Sequence, residues 1–117
     1  MEVTGVEGRI SDEFMREMLQ KTRPYTVVIL RRTPKRDEPG ADRVVWEHGR
    51  RNFLLRNEKK LLIVCPVNDE TNVRGLCVFS TGLDETRKIM EGDPAVRAGI
   101  FIYEVHPAES FPGDSLR

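Results

Sequence analysis

The chain has 117 residues, enough for one domain built on a single core and too few for a second of ordinary size. Nineteen Lys and Arg balance nineteen Asp and Glu. The basic residues are scattered (Arg31, Arg32, Arg50, Arg51, Lys59, Lys60), so the concentrated positive surface that nucleic acid requires is not expected. No run is long and apolar enough to span a bilayer, and the first residues lack the basic and apolar blocks of a signal peptide, which predicts a cytoplasmic protein without a membrane partner.

Residues 1 to 10 show no apolar period and are expected to be loosely ordered. From Ser11, the spacing of Phe14, Met15, Met18 and Leu19 predicts a short helix that Pro24 stops, giving an N-terminal extension over residues 1–23. Tyr25 to Leu30, rich in β-branched and aromatic residues, predicts a strand closed by the polar stretch from Thr33 to Gly40. Asp42 is placed to cap a helix running to about Asn57, with Val45, Trp46, Gly49 and Phe53 on one inward arc that extends through Asn52 to His48. Leu61 to Val67 and Val73 to Thr81 predict a hairpin turning at Asn68–Asn72. A second helix, from about Leu83 to Glu91 with Leu83, Thr86 and Met90 inward, ends at Gly92. Ile100 to His106 is the last expected strand, and residues 108–117, with a proline and a glycine, form an extended tail.

This order of elements, strand-helix-strand twice over residues 24–107, predicts an α+β fold of the ferredoxin-like split β-α-β type, with a four-stranded antiparallel sheet and helices on one face. The run Leu61-Leu62-Ile63-Val64-Cys65 does not alternate, so apolar side chains leave this strand on both faces of the sheet. Burying one Leu, Ile or Val is worth about 1.5–3 kcal/mol, and helices cover only one side. A second copy packed sheet against sheet is therefore expected, making a homodimer.

Few residues in the chain suit catalysis. Cys65 and Cys77 lie in apolar strand-like runs outside any CxxC or Cys/His metal spacing, so they are expected to be small buried hydrophobes, with neither a disulfide nor a metal. His48 sits at the edge of the inward arc with Asn52 one turn later. A half-buried histidine bonded to a backbone carbonyl is the bland reading; a general acid or base is the functional one, because imidazole titrates near neutrality. Asp93 before Pro94 is what a helix N-cap looks like, yet a capping carboxylate can use its second oxygen to orient an imidazole. Secondary candidates are His106 at the end of the last strand, Glu104 on the face of Ile100 and Ile102, and Ser80, Tyr103 and Arg50 as polar substrate contacts. No GxSxG, GxGxxG, P-loop or HExxH pattern occurs, which removes the commonest hydrolase, dinucleotide, kinase and zinc-protease readings.

The run from His48 through Leu55, continuing into Leu61-Leu62-Ile63-Val64-Cys65-Pro66, resembles the YCII-related domain family, whose members open this helix with a histidine and close the next strand with a small residue and proline. Asp93-Pro94-Ala95-Val96-Arg97-Ala98-Gly99 is similar to the family's Asp-Pro element, and Tyr103-Glu104-Val105-His106-Pro107 follows it. The likeness covers roughly residues 24 to 107. It implies a dimeric α+β barrel of ferredoxin-like subunits with a His-Asp pair, here His48 and Asp93, beside a cleft. Relatives of the fold include muconolactone isomerase-like proteins and cofactor-free oxygenases. The N-terminal helix and the loop from Thr33 to Ala41 depart from a typical member and bear on the cleft.

The expected function is proton transfer by His48 and Asp93, without a cofactor, on a small, largely apolar carbonyl or enol compound, in isomerase or lyase chemistry. Asn52, Arg50, Tyr103 and Glu104 are the expected substrate contacts. The alternative is a non-catalytic dimeric module that binds a small molecule or another protein.

Overall fold

A computed structural model describes residues 7–117. The loose order expected of residues 1–6 lies outside the described residues; Glu7–Arg9 form a single 3-10 turn. Pro24–Ala108 makes one compact unit, and the N-terminal segment up to Arg23 makes a second with Glu109–Arg117. In the second unit, helix α1 (Asp12–Leu19) is capped by the Ser11 hydroxyl, which accepts a hydrogen bond from the Phe14 N–H at 3.0 Å.

The strands are β1 (Arg23–Arg32), β2 (Leu61–Pro66), β3 (Val73–Phe79) and β4 (Phe101–Ser110), in the spatial order β2-β3-β1-β4. This is the order of an antiparallel ferredoxin-like sheet. Helices α2 (Ala41–Asn57) and α3 (Leu83–Glu91) follow β1 and β3, and a single-turn helix α4 (Pro94–Arg97) lies between α3 and β4. The β2–β3 turn is built by Asp69, whose carboxylate accepts from the Thr71 N–H and hydroxyl at 2.9 and 2.6 Å.

Period-two alternation sorts the sheet into two faces. Thr26, Val28 and Leu30 pair with Phe79, Cys77 and Gly75, and Leu61 pairs with Phe79, all buried. Ala41 and Leu55 of α2, Ile89 and Met90 of α3, Ala95, Ile100 and Phe101 complete this core. On the opposite face Val27 pairs with Val78 and then Ile63, and Ile29 with Leu76 and then Cys65. Leu76 and Ile102 on that face are 42% and 55% exposed, so the second apolar surface inferred from the sequence is present. Its cause in β2 is an irregularity between Leu61 and Ile63, which puts Leu62 out of alternation.

Several local expectations are corrected. Helix α2 is capped by Gly40, at φ 86°, and not by Asp42, which lies in the first turn and pairs with Arg36. The inward arc of α2 is Ala41, Val44, Val45, His48, Asn52 and Leu55, while Trp46 and Phe53 point outward at 70% and 62% exposure. Cys65 is exposed, and only Cys77 is a buried hydrophobe; both thiols are free. β4 runs on through Pro107 to Ser110, which is possible because β4 is an edge strand whose outer N–H groups have no ladder partner to lose. Ile100 precedes the strand and is buried, so it does not share the open face of Ile102 and Glu104.

Candidate active site

Helix α2 and the turn after α3 bring His48 and Asp93 together across 45 residues of chain. The imidazole Nδ1 lies 2.7 Å from Asp93 Oδ1. Asp93 is 1% exposed and among the few polar residues in the core. Its position follows from local chemistry: Pro94 starts a helical turn without needing an N–H partner and keeps Asp93 extended, at φ −73° and ψ 133°. Oδ2 then accepts the N–H groups of Ala95 and Val96 at 3.0 and 3.1 Å. Asp93 is therefore both the cap of α4 and the partner of an imidazole, each oxygen serving one role.

A carboxylate only accepts, so in the neutral imidazole Nδ1 carries the hydrogen and Nε2 presents its lone pair. Asn52 Nδ2 stands 3.4 Å from Nε2, a long contact that an incoming group can displace. The ring meets Phe101 of β4 edge-on, with centroids 5.2 Å apart and planes at 69°. Its side chain keeps 13% of its surface, so the imidazole is held on three sides and open on one.

Arg51, which the sequence reading passed over, places Nη1 3.9 Å from Asp93 Oδ1. It stands three residues beyond His48, one turn along the same helix. That spacing was the available signal, but a charge on a polar helix is ordinarily a solvated one.

The remaining candidates fall elsewhere. Tyr103 and Glu104 line a groove of about 540 Å³ along β4, with Arg87 and Glu91 of α3, Val96 and Phe101. Phe101 is part of its wall and also packs against the imidazole, while His48 and Asn52 do not line it. The Tyr103 hydroxyl donates to Glu91 at 2.7 Å; burial, and then this bond and the Glu91 charge, push its pKa up to about 12. Glu104 pairs with Arg31 and, at 2.7 Å, with His106 Nε2, forming a charged cluster apart from His48. Arg50 is on the outward side of α2, its Nε donating to Glu47 at 2.9 Å, and is not brought to His48. The Ser80 hydroxyl donates to the Lys59 carbonyl at 2.8 Å, joining the ends of β3 and α2. Burial raises the Cys77 thiol to about 12, with smaller contributions from Cys65 and the Asp93 charge. Among the described residues no cluster of His, Cys, Asp and Glu has the arrangement of a metal site, and no helix is long and apolar enough to cross a membrane.

No protein-family model matches the chain, and no curated protein matches it. Among solved structures it is similar to the 5-chloro-2-hydroxyhydroquinone dehydrochlorinase of Burkholderia phenoliruptrix AC1100, in complex with 2,5-dihydroxybenzoquinone. The two share 21% identity over 69% of this chain and 90% of that chain, with a TM-score of 0.45. No residue or substrate is carried over from a likeness of this degree.

Proposed function

We propose that this protein is a YCII-like, cofactor-independent enzyme in which His48 and Asp93 transfer a proton on a small, largely apolar carbonyl or enol compound. The observation that carries the reading is the 2.7 Å contact between His48 Nδ1 and a carboxylate that is 1% exposed. Burying a carboxylate is costly unless it is paired, and here the pairing leaves the opposite end of the imidazole, met only by the long Asn52 contact, to act as a base. In the forward step Nε2 takes a proton from the carbon next to a carbonyl. The C–H electron pair becomes the new carbon–carbon π bond, and the carbonyl π pair moves to oxygen, giving an enolate. Return of the proton to another carbon completes an isomerisation; expulsion of a group from the next carbon, with its bonding pair, completes an elimination. Asp93 stabilises the imidazolium in both cases.

The groove along β4 has the size of a small-molecule site, and the Phe101 ring in its wall packs against the imidazole. We assign the reacting end of the substrate to His48 and Asn52 and its far end to the groove, where Tyr103 and Glu104 would be polar contacts if it reaches past Phe101. The open apolar face of the sheet, with Leu76 and Ile102, is assigned to a second copy of the chain. The two free thiols fit a reducing cytoplasmic setting.

The test is hydrogen exchange in deuterated water. A panel of cyclic and acyclic ketones, enol lactones and quinones is incubated with protein and followed by proton NMR for loss of the signal next to the carbonyl. Exchange of at least one compound is expected, falling at least a hundredfold in His48→Gln and in Asp93→Asn, with binding retained in a thermal-shift assay. Exchange by the parent that both variants keep would refute the assignment. A second reading is supported by the use of Asp93 as the α4 cap: a non-catalytic module in which the pair only ties α4 to α2. It predicts ligand-induced thermal shifts with no exchange in any panel member.

A further inference from the structure

We propose that the outward stripe of α2 is a self-docking surface, on which a second copy of the chain lays its own α2 antiparallel, each Phe53 filling the gap beside the partner's Gly49. This contact is separate from the open sheet face and from the His48–Asp93 pair, and it goes beyond the proton-transfer reading.

Trp46, Gly49, Phe53 and Arg56 follow one another at spacings of three, four and three residues, the repeat of a seam between two helices. Trp46 and Phe53 stand out from the helix at 70% and 62% exposure, and with Gly49 and Arg50 they wall an apolar notch of about 300 Å³. A glycine inside a helix weakens it relative to alanine. Gly49 is mid-helix and lacks the left-handed φ that would call for glycine. A Cβ added there would meet none of the described atoms within 4 Å. Neither the backbone nor the packing of this chain explains the residue, so the space beside it serves a body from outside.

The stripe itself identifies that body. Run backwards, the series Trp46, Gly49, Phe53, Arg56 keeps the same spacings, so two antiparallel copies align position for position. Each Phe53 then stands opposite the partner's Gly49, a ring into a gap, and each Arg56 stands opposite the partner's Trp46. Indole is the best ring for a cation–π contact, and the Arg56 guanidinium is already turned towards an aromatic face, 5.3 Å from the centroid of its own Phe53. Beside the seam, Arg50 is engaged by Glu47 at 2.9 Å and Asp42 by Arg36 at 2.7 Å, so these pairs bring no net charge to repel a like copy. Shape and charge therefore match this same surface, in the two-fold contact usual between identical chains. A seam of four residues is small beside a standard interface of about 1,600 Å², so the contact is weak and forms as concentration rises.

The measurement is sedimentation velocity over a concentration series, in a Leu76→Glu background that removes the contact proposed for the open sheet face. Dilute protein is expected as a monomer, and its mass should double as the concentration rises. Gly49→Phe sets two rings against each other and Phe53→Ala leaves the gap unfilled. Each alone should move the association midpoint upward by about tenfold or more, the loss that removing a central aromatic anchor brings. Both replacements raise helix propensity, and urea unfolding verifies that each variant is folded. Mixed together, the two variants again set a ring opposite a small residue at both crossings, so association should return most of the way to that of the background protein. Arg56→Glu should also weaken it. A background protein that stays monomeric at every concentration overturns self-docking and leaves the stripe to a different protein. An association that both single variants retain, or that their mixture fails to recover, overturns the antiparallel pairing of Phe53 with Gly49.

Discussion

Replacement of Asp93 by Ala and by Asn separates the two jobs of this carboxylate. Alanine removes the cap of α4, whose acceptor serves two N–H groups at 3.0 and 3.1 Å; losing such a cap costs about 0.5–2 kcal/mol. It also leaves the largely buried His48 Nδ1–H without an acceptor, about 1–3 kcal/mol for an unmade hydrogen bond. The Arg51 contact, at 3.9 Å from a guanidinium whose side chain is 26% exposed, is screened by solvent and adds little. Together these make a loss of about 1.5–5 kcal/mol for Asp93→Ala. Asparagine retains an oxygen for the Ala95 and Val96 N–H groups, so Asp93→Asn should cost only about 1 kcal/mol. Its amide NH₂, however, then faces Nδ1, and the imidazole must carry its hydrogen on Nε2 instead. Urea unfolding at constant m-value gives the stabilities, and nitrogen-15 shifts of the ring give the tautomer. An Asp93→Ala loss below about 1 kcal/mol, or a ring still protonated on Nδ1 in Asp93→Asn, would refute a carboxylate that holds α4 and His48 at once.

Thiol labelling of the folded, monomeric Leu76→Glu variant should modify Cys65 rapidly and Cys77 only after unfolding, because Cys77 is 7% exposed with its pKa raised to about 12; two equally fast thiols would contradict the core packing. The same shift predicts alkaline instability. The folded-state values of Cys77 and Tyr103, both about 12, lie above their ordinary values of 9.0 and 10.0, so the folded form holds these protons longer. Their stabilising effect is complete below pH 9 and is lost as pH rises towards 12. Urea midpoints should fall over that window, with a shallower fall in Cys77→Ala; a flat profile would count against both groups. On the open sheet face, Leu76→Glu or Ile102→Glu should convert a dimer to a monomer by light scattering with little change in monomer stability. A parent that is monomeric at every concentration removes the proposed interface.

The order of elements was legible because each strand and helix carries its own periodicity, and the His48–Asp93 meeting was legible because topology alone places the first turns of one helix near the turn after the other. Orientation about the α2 axis was not. Trp46, Gly49 and Phe53 form the more apolar stripe, and apolar spacing by itself assigns that stripe to the core. The chain instead turns Ala41, Val44, Val45, His48, Asn52 and Leu55 inward, a stripe with two polar members in which Ala41 and Leu55 are fully buried. Beside the apolar Ala41, Val44, Val45 and Leu55, that stripe meets a partner invisible along the sequence: Oδ1 of the buried carboxylate capping α4 needs a donor, and the face bearing His48 supplies one. The polar requirement of one core residue therefore agrees with the rotation of a 17-residue helix, which its periodic apolar residues alone leave ambiguous. The aromatic stripe is left outside, where Trp46, Gly49, Arg50 and Phe53 frame a shallow notch and Arg56 lies 5.3 Å over the Phe53 ring. Arg50 is misassigned by the same rotation: counted as neighbouring the site, it turns out with Trp46 because it stands one turn beyond it. Arg51 is the mirror case, turned inward with His48. A helix that turns Trp46 and Phe53 outward, while a histidine and an arginine face a buried aspartate, is not oriented by aromatic content alone.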